Sequence, residues 1–91
     1  MNIQKMLDKL KDILSAERRA QLEEYDSLKK VLKALRAEKR KLAQELAGES
    51  DEAACEEIAS RLRVVSKQRK KGLNVLKELK EERQGARNNK K

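Results

Sequence analysis

Residues 42–58 read LAQELAGESDEAACEEI, and this stretch decides the fold. Leu42 and Leu46 close one run of apolar residues, and Cys55 and Ile58 open another. Between them stands Gly48-Glu49-Ser50, followed by Asp51 and Glu52. Glycine is favoured just past a helix because the left-handed conformation costs it nothing. Ser50 is an N-cap candidate, and acids suit the first turn of a new helix because of the helix dipole. The pattern therefore predicts two helices joined by a turn at 48–50. A connection that short makes the helices antiparallel neighbours.

The stripes on either side agree in length and phase. Upstream, Tyr25, Leu28, Leu32, Leu35, Lys39, Leu42 and Leu46 alternate steps of three and four, with Leu22 and Val31 widening the stripe. Downstream, Cys55, Ile58, Leu62, Val65, Arg69, Gly72, Leu76 and Leu79 do the same. This is a heptad seam with polar interruptions at Lys39 and Arg69. Counting back from the turn pairs Leu35 with Val65, Leu32 with Arg69, Leu28 with Gly72 and Tyr25 with Leu76. Arg83 then faces the region of Glu17. The phase holds across Gly72, which favours a continuous helix there with close packing against Tyr25 or Leu28. Gly85 is expected to end the helix, leaving Ala86–Lys91 as a basic tail.

Composition supports the same class. Of 91 residues, 37% are hydrophobic and 44% charged; Tyr25 is the lone aromatic, and Pro and His are absent. Such a mix makes long helices, not strands. The expected fold is all-α: a long antiparallel helical hairpin over 16–84, a disordered basic tail over 85–91, and an added N-terminal amphipathic segment over 1–15. In that segment Ile3, Met6, Leu7, Leu10, Ile13 and Leu14 share one face. Ser15 can N-cap a fresh helix, while the stripe stays in phase across it, so a break and a continuous helix both fit the pattern.

Those six apolar residues have no partner on the second arm of the hairpin. They fold back on its open end, meet a second subunit or bind something else. The favoured expectation is a homodimer, formed through them as a self-association face.

The charge is segregated. Lys29–Lys41 holds seven bases and one acid, net +6, and Arg61–Lys71 holds six bases and no acid. Glu45, Glu49, Asp51, Glu52, Glu56 and Glu57 make the turn region net −6. Folding lays the two basic runs side by side as a shaft with an acidic tip. Lys29/Lys33, Arg36/Arg40, Arg63/Lys67 and Lys67/Lys71 are like-charge pairs four apart, each costing its helix a few tenths of a kcal/mol. The candidate polyanion-binding residues are Lys29, Lys30, Lys33, Arg36, Arg40, Lys41, Arg61, Arg63, Lys67, Lys70 and Lys71, since neutralising phosphates releases counterions. No sequence-reading motif accompanies them, and one aromatic supplies no stacking platform.

Catalysis is not expected. Without His the commonest acid–base residue is missing and Cys55 has no His to activate it, the plentiful carboxylates gain no enclosed pocket from a two-helix seam, and three scattered glycines make no phosphate loop. No cofactor or metal site is expected, because Cys/His ligand spacing is impossible. No apolar run spans a bilayer, and the mixed charges of residues 2–14 disfavour membrane-surface binding. With no signal-peptide pattern and one cysteine, the expected setting is the cytoplasm. The functional expectation is a non-catalytic interaction module with an unidentified protein partner, acting as adaptor, scaffold or assembly factor. The alternative is a sequence-nonspecific nucleic-acid-binding protein.

Overall fold

The computed structural model describes residues 3–88. It is all-α. Helix α1 spans Ile3–Ser15, α2 Arg18–Glu23, α3 Tyr25–Gly48 and α4 Glu52–Asn88. The molecule measures 60 × 20 × 18 Å. At 1.5 Å per residue, α4 alone runs nearly its whole length.

Helices α3 and α4 form the expected hairpin, with small changes at the turn. Gly48 is the last helical residue of α3, and no glycine among the described residues has a positive φ. The left-handed cap expected there is absent. Asp51, not Ser50, starts α4: its Oδ2 accepts the Ala54 N–H at 3.0 Å, and its carbonyl accepts the Cys55 N–H at 2.9 Å. A side-chain bond to the third helical N–H is what an N-cap does. Glu49 Oε1 in turn accepts the Asp51 N–H at 3.1 Å, and the Cys55 thiol donates to the Glu49 carbonyl at 3.3 Å. The far end differs too: α4 continues through Gly85 to Asn88, while residues 89–91 lie outside the described residues.

The chain breaks after Ser15, but that residue does not cap the next helix. Its Oγ donates back to the Asp12 carbonyl at 3.2 Å, and Glu17 precedes α2 without a side-chain cap. Glu24 alone separates α2 from α3, with hydrogen bonds running across it, so the two make one kinked rod.

Helix α1 folds back onto the hairpin. Ile3 and Leu7 lie beside Val64 and Val65, and Leu10 beside Gly72, so α1 runs parallel to α4 and antiparallel to α3. Met6, Leu10 and Ile13 are buried in one core with Leu28, Val31, Leu32, Leu35, Leu42, Val65 and Leu79; Ile3, Leu7 and Leu14 pack at its edge. Burying a side chain of this kind is worth about 1.5–3 kcal/mol over leaving it exposed. The face expected to meet a second subunit is thus covered by the chain's own helices, and exposed apolar area no longer argues for a dimer.

Two features hold α1 in place. Gln21, buried, donates through Nε2 to the carbonyls of Ile13 (3.0 Å) and Leu14 (3.4 Å) in the last turn of α1, where carbonyls lack intrahelical partners; that of Ile13 also accepts the Ala16 N–H at 3.2 Å. Gly72 gives room: a Cβ there would sit 2.6 Å from Leu32 Cδ2 and 3.0 Å from Leu10 Cδ1. All three long helices meet at this point. The close neighbours are Leu32 and Leu10, not the expected Tyr25 or Leu28.

At mid-shaft Arg69 meets Leu32, the pair counted from the turn: its Nε donates to the Leu32 carbonyl at 3.3 Å. Side-chain partners toward the open end sit further along. The Arg83 guanidinium lies over the Tyr25 ring, and the two share a cleft with Lys80; Arg18 reaches Glu82, so this end of α4 lies opposite the region of Glu17, as counted.

Candidate functional site

The eleven candidate bases are all exposed. Among the described residues only Arg61 forms an ion pair, with Glu57 one turn back at 2.9 Å. Lys29 Nζ stands 5.8 Å from the Tyr25 ring centre. The open end of the molecule is built differently. There Arg18 reaches Glu78 (2.8 Å) and Glu82 (3.7 Å), Lys9 reaches Glu24 (3.7 Å), and the Arg83 guanidinium lies 4.4 Å from the Tyr25 ring centre. These three bases have partners within the fold; of the shaft bases, Arg61 has Glu57 and Lys29 the Tyr25 ring, and the other nine are exposed with no ion pair among the described residues.

The shaft bases do not form one patch. Lys29, Lys30, Lys33 and Arg36 converge on a groove between α3 and α4, where Arg69 joins them and Asp26 is the acid. At about 100° per residue, Lys29, Lys33, Arg36 and Arg40 fall within roughly 60° of one another, so Arg40 extends this row toward the tip. Lys41 lies about 100° further round than Arg40, within roughly 20° of Lys30 and about three turns nearer the tip. On α4, Arg63 and Lys70 fall about 100–120° from Arg69 at the groove's outer shoulder, with Lys67 and Lys71 beyond them on the back. Arg61 is elsewhere, lining a cleft with Ile3 and Leu7 of α1.

Two groove residues were not among the sequence candidates. Arg69 read as a seam residue; its half-buried stem lies in the seam, and its Nε bonds across to α3. Its place within a basic run was the available signal. Leu73, 39% exposed, falls outside the heptad stripe and lines the groove with Leu32 and Leu76.

The acidic tip has structural tasks. Asp51 caps α4, Glu49 holds the turn, and Glu57 pairs with Arg61. Among the described residues no cluster of three or more His, Cys, Asp or Glu is placed to hold a metal ion. No described helix is long and apolar enough to cross a membrane. No family model, curated protein or solved structure matches the chain.

Proposed function

We propose that the chain is a non-catalytic helical interaction module that takes an anionic partner on the basic face of α3 and α4. One observation carries this reading: ten of the eleven shaft bases are exposed without an ion-pair partner among the described residues. Like charges held side by side on a helix repel. An anionic partner relieves that repulsion and gains counterion release. A cytoplasmic setting suits the lone thiol.

The test is a titration of the whole protein with labelled duplex DNA, duplex RNA and polyglutamate at about 50 and 200 mM salt, with light scattering on the same samples. Binding of an anionic polymer at low salt that weakens steeply at the higher salt supports the reading. The double variant K33E/R36E is expected to weaken it at least about tenfold, since each reversal removes one attraction and adds one repulsion. No binding of any polyanion at low salt overturns it. Nucleic acid is the second reading, favoured by Lys41, Lys67 and Lys71, which extend the basic surface beyond the groove.

A further inference from the structure

We infer that the groove between α3 and α4 is the seat of a fourth helix, an acidic amphipathic helix supplied by another protein. This rests on the preceding reading that the basic face is the binding surface, and it names the partner.

The groove joins two chemistries. Its floor is apolar, made by Leu32, Leu73 and Leu76, with Leu73 39% exposed and Leu76 half-buried. Its walls carry four bases of α3 and Arg69 of α4. A phosphate backbone satisfies the walls and leaves the floor wet. A helix with an apolar stripe and flanking carboxylates satisfies both, removing Leu73 from water while its acids meet the lysines and arginines.

The same hairpin shows what fills such a groove. On its other face α1, a helix of 13 residues, seats Met6, Leu10 and Ile13 against α3 and α4. A second helix on the open face completes a four-helix bundle. From Asp26 to Arg36 the groove runs about 15 Å, or roughly three helical turns. The occupant therefore needs apolar anchors spaced as i, i+3 or i+4, and i+7, with Asp or Glu beside them. The α1 of a second copy does not meet this need, because its polar face carries Lys5, Lys9 and Lys11 against Asp8 and Asp12.

Three fluorescent probes test the proposal on the whole protein. The first is a peptide of about three heptads with Leu at the two seam positions and Glu elsewhere. The second has the same composition with the leucines shuffled off the stripe, and the third is a generic DNA duplex. The first is expected to bind and gain helicity, and to bind at least about tenfold more tightly than the shuffled peptide. L73D is expected to weaken the first probe at least about tenfold and the duplex little, whereas V64D, on the α1 side of α4, changes neither. Equal binding of the two peptides overturns the inference and needs no variant to show it. So does indifference of the first probe to L73D. In those two cases the basic-face reading stands, provided K33E/R36E still weakens the anionic probes. Failure of every probe to bind at low salt overturns both.

Discussion

Replacing Gly72 with alanine tests the architecture at the point where the three long helices meet. Mid-helix, alanine is favoured over glycine by about 1 kcal/mol. At Gly72 the added methyl arrives 2.6 Å from Leu32 Cδ2 and 3.0 Å from Leu10 Cδ1, where carbon atoms prefer roughly 3.5–4.0 Å. Those leucines are 3% and 0% exposed, so neither has solvent to move into. Overpacking of this kind costs about 1–3 kcal/mol. The helical gain offsets part of that, leaving G72A destabilised by up to about 2 kcal/mol. Gly48 and Gly85 supply controls within the same chain: both are helical, and nothing lies within 4 Å of a Cβ at either position. G48A and G85A should each stabilise by about 0.5–1 kcal/mol. At about 4–8 °C per kcal/mol for a domain of this size, thermal unfolding followed by far-UV circular dichroism separates the outcomes. In a Leu32→Val background the nearest methyl is gone, and G72A should recover most of its loss. Should G72A raise the melting temperature as much as G48A does, α1 and α3 do not converge on α4 at this residue, and the packing described above is wrong.

Other substitutions probe separate parts of the fold. Gln21→Ala removes both side-chain bonds to the end of α1; it should cost about 1–2 kcal/mol and release the α1 amides to hydrogen exchange ahead of those of α3 and α4. Asp51→Ala should lose about 1 kcal/mol of cap, whereas Ser50→Ala should stay within about 0.5 kcal/mol, measured by urea denaturation. Leu10→Asp places a charge at a fully buried site; a loss exceeding about 4 kcal/mol, with a midpoint that does not depend on protein concentration, is expected if α1 packs within its own chain. Lys67→Glu turns two repulsive pairs, with Arg63 and Lys71, into attractive ones; it should stabilise by about 0.5–1 kcal/mol at low salt, and the gain should shrink at high salt.

The hairpin was legible because its signals agree at every level. Two seams of equal phase flank one turn, and that turn carries acids where a helix begins. The one-residue slip from Ser50 to Asp51 arose because both residues cap well and stand side by side. The shifted side-chain partners have a geometric cause. Side chains lean toward the N-terminus of their own helix. Leu32 therefore leans toward the open end and meets Gly72, although its carbonyl faces Arg69. Tyr25 leans the same way while Arg83 leans back toward it, so the ring and guanidinium meet about a turn beyond the counted pair. Gln21 carried a weak signal that went unused: it stands one heptad before Leu28, and Leu35 and Leu42 continue the same buried position. What periodicity does not encode is the destination of α1. A stripe tells which face is covered and is silent on what covers it.

That destination bears on where a partner can bind, because the hairpin has two grooves and α1 fills only one. Size favours the filled side: Gly72 removes a side chain there, letting Leu10 approach α4 to a distance that any Cβ would block. Charge disfavours the other side, where the row from Lys29 to Arg36 and Arg69 would face Lys5, Lys9 and Lys11 of α1. On the chosen side Lys9 instead finds Glu24 at 3.7 Å. The basic row thus makes the groove that it lines the less suitable of the two for the chain's own helix. Under the proposal that a second helix enters this groove, one of opposite charge is favoured there and a basic one is disfavoured.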